Sequence, residues 1–227
     1  MLRTHKNKLA MAVLGVFLAM SPAEAATITY TAGLPIAEST TDINETMSLS
    51  LFNLPGVLTG AVLEIFGSGT QSVSLTNNSV NAQTARATQS ISLMFGSNLV
   101  AVASYLVDEL TLESIIPLLS YAPGQTRTFG PVVDSDTISY DMVAALGSLS
   151  GPGTFDVTCQ SLAGLNLVGG GGNLSSTQTT LAGCGARITY TYDAVPPTGD
   201  VPEPSTWMMA GLGAAGLAAG RLRRKSS

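Results

Sequence analysis

The chain has 227 residues, 45% of them hydrophobic and only 11% charged, with a formal net charge of −5 at pH 7. That length suits one domain with a sizeable core and short flanking segments. Between Ala26 and Pro202 the only cations are Arg86, Arg127 and Arg187 against thirteen acids, about −10, so the body repels nucleic acid and anionic lipid, which excludes phosphate-backbone binding as a main activity.

At the N-terminus Arg3, His5, Lys6 and Lys8 precede the apolar run Leu9 to Met20, followed by Ser21-Pro22-Ala23-Glu24-Ala25. This is the three-part layout of a secretory signal peptide over residues 1–25. Twelve apolar residues are too few to cross ~30 Å of hydrocarbon as a helix. Ala23 and Ala25 supply the small side chains a signal peptidase accepts, so cleavage is expected between Ala25 and Ala26. An amphipathic helix is the weaker reading, because polar residues are missing from every face of the run. The Sec translocon and signal peptidase are the partners this end implies.

From Ala26 onward, period-two patterning dominates. In Ala186-Arg187-Ile188-Thr189-Tyr190-Thr191-Tyr192-Asp193, Ile188, Tyr190 and Tyr192 point one way while Arg187, Thr189, Thr191 and Asp193 point the other, as in a half-buried strand. The same pattern predicts strands over 27–31, 46–52, 62–66, 72–76, 87–95, 99–106, 126–132, 137–142 and 154–159. About ten strands separated by Gly, Asn and Pro turns predict an all-β fold, a single β-sandwich or jelly-roll-like domain over residues 26–195. Short helical pieces are expected over 108–120 and 142–149.

Chemistry is sparse in this body. Its sequence holds no histidine, since His5 lies in the signal peptide, and no lysine. Ser-His and Cys-His nucleophiles, imidazole metal sites and Schiff-base chemistry therefore have no residues to run on. Carboxylates such as Glu64, Asp108, Glu109, Glu113, Asp134, Asp136, Asp141 and Asp156 could supply a glycosidase acid and base. Yet the body has no tryptophan to line a sugar cleft, and solvated surface acids are the better reading. Asp134-Ser135-Asp136 is the densest acidic cluster and lacks the loop pattern of a calcium site, so no metal and no cofactor are expected. Three N-x-S/T sequons, at Asn44, Asn77 and Asn173, read as chance matches.

Cys159 and Cys184 are the only cysteines, and an exported chain with two of them is expected to join them in one disulfide over the glycine-rich stretch from Gly164 to Asn173. A redox pair or thiolate metal site would need C-x-x-C spacing or further ligands.

After a linker over 196–200, the chain carries Pro202-Glu203-Pro204, the apolar run Trp207 to Gly220, and a basic stop of Arg221, Arg223, Arg224 and Lys225. Fourteen apolar residues are marginal as a permanent anchor, and the basic flank stays on the cytoplasmic side, holding the body outside. The two prolines fix φ and remove backbone donors, which makes a stiff, extended strip for a processing enzyme to grip. Gly211-Leu212-Gly213-Ala214-Ala215-Gly216 fits a dinucleotide fingerprint by letter, but no strand and βαβ unit surround it; small residues there read as close-packing positions.

Over 201–225 this combination of proline strip, short membrane segment and basic stop resembles the PEP-CTERM sorting signal. The resemblance implies recognition by an exosortase, an integral-membrane enzyme with a cysteine nucleophile, with Pro202, Glu203 and Pro204 serving as substrate. It implies an inner-membrane intermediate with transient insertion, then the surface or extracellular matrix of a Gram-negative-type bacterium. The body, from Ala-Thr-Ile-Thr-Tyr-Thr through Glu-Thr-Met-Ser-Leu-Ser-Leu-Phe-Asn to the closing Ala-Arg-Ile-Thr-Tyr-Thr-Tyr-Asp, is similar to the choice-of-anchor E domain proteins. That likeness implies surface display and carries over no catalytic residue. The expected function is a non-enzymatic surface or matrix protein associated with exopolysaccharide or biofilm. The alternatives are a carbohydrate-binding module with stacking platforms near Tyr105, Tyr121 and Tyr140, and a hydrolase resting on Asp134 or Asp156.

Overall fold

The computed structural model describes residues 25–195. The expected leader, apart from Ala25, the linker 196–200 and the sorting segment 201–225 lie outside the described residues.

Nine antiparallel strands form two sheets: β1 (Ala25–Ala32), β2 (Ser39–Thr40), β3 (Asn44–Ser50), β4 (Gly56–Asn77), β5 (Gln83–Ser97), β6 (Glu109–Tyr121), β7 (Thr126–Asp141), β8 (Thr154–Gly169) and β9 (Leu174–Ala194). One sheet has the order β1-β9-β4-β7, with β2 also on β9; the other has the order β3-β8-β5-β6. The pairs β1 with β9, β3 with β8, β4 with β7 and β5 with β6 are nested, first with last and inward. A long hairpin rolled over itself in this way is the jelly roll.

Several expected short strands are pieces of longer ones. In β4 the residues Ala61, Leu63, Ile65, Gln71, Val73, Leu75 and Asn77 face inward, and the alternation continues across Gly67 and Gly69. Those glycines sit where side chains of the facing sheet press on the strand: a Cβ on Gly67 would collide with Leu93, and one on Gly69 would lie 2.7 Å from Ile91 Cδ1.

Two expectations are corrected. Residues 108–120, read as helical, are β6, in which Leu110, Leu112, Ser114 and Ile116 point inward at period two. Residues 99–106, read as a strand, hold the single-turn helix α1 (Val100–Ala103) and its flanks. There Leu99, Val102 and Leu106 recur at three- and four-residue steps and all pack on the core, a helical spacing hidden inside an apolar run. Within 142–149 the chain makes a 3₁₀ turn at Val143–Ala145.

The core divides in two. The larger cluster includes Leu49, Phe52, Leu63, Ile91, Leu93, Leu110, Phe155, Ile188 and Tyr190. The smaller holds Val73, Leu75, Ala85, Ala87, Ile116 and Tyr121. Between them runs a polar layer: Gln71 pairs with Thr180 in one sheet, Gln89 with Ser114 in the other, and all four are buried.

Candidate functional site

Because β1 and β9 are antiparallel neighbours, with Ala25 opposite Asp193, the start of the described chain and the end of its last strand lie side by side at one pole. Ala25 and Ala26, the expected cleavage pair, open β1. Seven residues separate Ala194, the end of β9, from Pro202. Pro202, Glu203, Pro204 and the basic stop Arg221, Arg223, Arg224 and Lys225 lie outside the described residues, and among the described residues no helix is long and apolar enough to cross a membrane.

The interior just behind this pole is built from aromatic rings. Tyr190 meets Tyr30 edge-on at 6.1 Å and Phe52 at 5.8 Å, while Phe52 also meets Tyr192 at 5.1 Å. The Tyr190 hydroxyl donates to the Ser50 carbonyl at 3.0 Å, and burial pushes this phenol well above its ordinary pKa.

Cys159 and Cys184 form a disulfide. It does more than close a loop over the glycines. Cys159 is on β8 and Cys184 on β9, so the bond ties one sheet to the other through the larger core. The glycine-rich stretch is mostly strand, and the reversal is a 3₁₀ turn at Gly170–Gly172, where φ is +73°, +54° and +79°. L side chains rarely adopt such values, which accounts for a glycine run at this position.

Carboxylates serve neighbouring strands. Glu64 accepts two bonds from Arg187, at 2.7 and 3.0 Å, and this pairing holds its carboxyl below the usual range against the opposing effect of burial. The Arg187 guanidinium also lies 5.0 Å from the centre of the Phe66 ring. Asp156 accepts from Ser48 at 2.5 Å and from Asn98 at 3.2 Å, tying β3 and the end of β5 to β8. Glu38 takes hydroxyl bonds from Ser68 and Thr70, which pins the segment before β2 onto β4. Asp134 and Asp136 stand opposite Gly69 and Gly67 on edge strand β7, each accepting from the next residue's amide. Among the described residues no group of three His, Cys, Asp or Glu comes together.

The tyrosine platforms are corrected by burial. Tyr121 has no exposed surface, and burial raises its pKa; the Tyr140 hydroxyl is enclosed and raised for the same reason, with Asp108 adding to the effect. Tyr105 packs partly buried against the core. Tyr121 therefore offers no ring face on the sandwich surface, while Tyr105 and Tyr140 keep part of theirs exposed.

Two features escaped the sequence reading, the buried Asn77 and the buried glutamine pair. Asn77, seen only as a sequon, is fully buried, and its Nδ2 donates to the carbonyls of Asn81, Tyr121 and Ala122 at 2.9–3.1 Å. The signal was its position, two residues beyond Leu75 on the inward face of a strand. Gln71 donates across the sheets to the Leu112 carbonyl at 3.2 Å, while both amide atoms of the buried Gln89 lack a protein partner. The outer face of the first sheet carries hydroxyl rows, including Thr29 with Thr189 at 3.0 Å, Ser74 with Thr128 at 2.7 Å and Thr76 with Thr126 at 2.8 Å.

No curated protein matches the chain. Among solved structures, infectious bursal disease virus (Gx strain) aligns with a TM-score of 0.20 and 11% identity, covering 82% of this chain and 43% of that one. Mud Crab Dicistrovirus aligns with a TM-score of 0.17 and 12% identity, covering 90% and 85%. Likenesses this slight carry no argument. Residues 200–225 match the PEP-CTERM protein-sorting motif. The chain thus carries a sorting signal that implies export, membrane-linked delivery to the cell surface and processing by an exosortase.

Proposed function

We propose that the jelly roll is the delivered product and the tail its consumed address label: a non-enzymatic surface or matrix protein working in an exopolysaccharide-rich envelope or biofilm. The observation that carries this reading is the sorting motif at 200–225, which begins six residues after β9 ends. Signal peptidase and the Sec translocon act first, an inner-membrane intermediate of a Gram-negative-type cell follows, and the exosortase acts at Pro202-Glu203-Pro204. The similarity of the body to the choice-of-anchor E domain supports display. The structural employment of Glu38, Glu64 and Asp156, together with a body sequence free of histidine and lysine, supports a role without catalysis.

The test is the intact mass of the protein recovered from surface and medium, beside a strain lacking its exosortase. Loss of everything beyond the Pro-Glu-Pro strip, including Trp207, only in the strain that has the enzyme, is the expected result. A mass retaining Trp207 to Ser227 in both strains would make the tail a permanent anchor and overturn the reading. A second reading, a carbohydrate-binding surface, is favoured by the hydroxyl rows of the first sheet and not by tyrosine rings. A glycan array blank at high protein concentration would remove it.

A further inference from the structure

The two sheets end in four long edge strands, β1 and β7 in one and β3 and β6 in the other, with the two-residue β2 beside β1 along β9. An edge offers unpaired backbone groups to any passing strand, and proteins blunt such edges with charges, prolines and bulges. Three of the four are blunted. Strand β3 carries Glu45; β6 carries Glu109, Glu113 and Pro117; β7 carries Arg127, Pro131, Asp134, Asp136 and Asp141, with a register shift against β4. Strand β1, Ala-Ala-Thr-Ile-Thr-Tyr-Thr-Ala, has no charge and no proline, and consists largely of residues that favour extended chain. The segment after it turns away from this edge and over β9, where the Ala37 carbonyl and the Ile36 side chain lie against Gly183.

The sequence of β1 is also self-complementary. Paired antiparallel with another β1 about Thr29, it sets Ala26 against Ala32, Thr27 against Thr31, Ile28 against Tyr30, and Thr29 against itself. Every threonine stays on the outer face and every larger side chain on the inner one. The molecule already contains this ladder: on its other edge β1 meets β9 with Ile28 opposite Tyr190, Thr29 opposite Thr189 and Tyr30 opposite Ile188, and the two threonine hydroxyls are 3.0 Å apart.

We infer that the free edge of β1 is an interface for a second copy of this chain, joined by antiparallel β1–β1 pairing about a twofold axis at Thr29. The contact is isologous, so it closes as a dimer. Its side chains are uncharged, and the only charges at its ends are the α-amino groups of Ala26, while each body carries about −10, so salt that screens the mutual repulsion strengthens it. This inference rests on strand geometry and does not depend on how the tail is processed.

The test is sedimentation of the exported protein, beginning at Ala26, over a concentration series at low and high salt. A dimer that grows with concentration and with salt is expected, and Thr29→Lys, which places two ammonium groups face to face at the axis, should weaken it at least tenfold with an unchanged circular dichroism spectrum. Since both native cysteines are bonded to each other, Thr29→Cys introduces a lone thiol. Mild oxidation should cross-link it much faster than Thr126→Cys on the blunted edge β7. A monomer at every concentration, with equal cross-linking of the two cysteine variants, would overturn the inference. So would association that Thr29→Lys leaves intact, or an edge that captures a foreign extended peptide while never pairing with its own copy.

Discussion

The half of the sandwich behind the pole where both chain ends lie is held differently from the half beyond the glutamine layer. Near the pole, large side chains such as Phe52, Leu63, Phe155 and Tyr190 are buried together and a disulfide joins the sheets. Beyond Gln71 and Gln89 only six residues form the buried cluster, and the turn after β4 is organised by three hydrogen bonds from one asparagine. The lesson is that packing and covalent linkage fix the end that meets the processing machinery, while hydrogen bonding fixes the end facing away.

The sharpest way to break that contrast is to remove the bond between the sheets. Replacing Cys159 and Cys184 by serine should cost about 3 kcal/mol, since the bond closes a 25-residue separation, and equilibrium urea unfolding with and without reductant measures it. A loss below about 1 kcal/mol would mean that packing alone holds the near half. Asn77→Ala acts on the other side of the comparison. It leaves the carbonyls of Asn81, Tyr121 and Ala122 without their donor, which should cost about 2 kcal/mol. Amide hydrogen exchange should accelerate around residues 77–81 and 121–125 while the near half stays protected.

The boundary itself is tested by Gln89→Leu. Deleting two buried polar atoms that lack protein partners, at similar volume, should raise stability by about 1 kcal/mol and merge the two clusters. A destabilised variant in the same unfolding assay would show that the carboxamide has a partner after all. The smallest effect belongs to Glu64 and Arg187, worth about 0.5 kcal/mol as a partly exposed pair. The folded carboxyl titrates below its ordinary value of 4.5, so the contribution is complete above that pH and is lost as the pH falls through the folded value. Arg187→Met should lower the neutral plateau of a stability-against-pH curve by about that 0.5 kcal/mol, flatten its acid limb and leave the acid end nearly unchanged.

Much of this was legible in the sequence. Strict alternation in Ile188-Thr189-Tyr190-Thr191 and its counterpart in β1 placed the strands, and two lone cysteines in an exported chain announced their bond. What stayed hidden was long-range or masked by composition. Gly67 and Gly69 read as a break in β4, though they make room for Leu93, Leu110, Ile91 and Leu112 of the facing sheet. The Asp108 to Ser120 stretch looked helical because its inward residues Leu110, Leu112 and Ile116 are helix formers as well, and only pairing with β5 decides the matter. Asn77 and Gln89 are polar letters on the inward registers of β4 and β5, and only that position, not their chemistry, marks them as buried. Tyrosines offered as ring platforms turned inward because the alternation around Tyr121 and Tyr140 continues from apolar neighbours.

The pairing of the first strand with the last has a consequence for time. β9 is the neighbour of β1, β2 and β4, so the first sheet is incomplete until the chain has been made and released as far as residue 194. Closure is the last event in the life of the nascent chain, and topologies dominated by such distant contacts fold slowly. Through that interval the strand destined for β9 is missing and β1 has two open edges instead of one. Membrane-linked delivery, which the sorting motif implies, would keep molecules apart meanwhile and let β1 find its own β9 before it can meet the β1 of a neighbour.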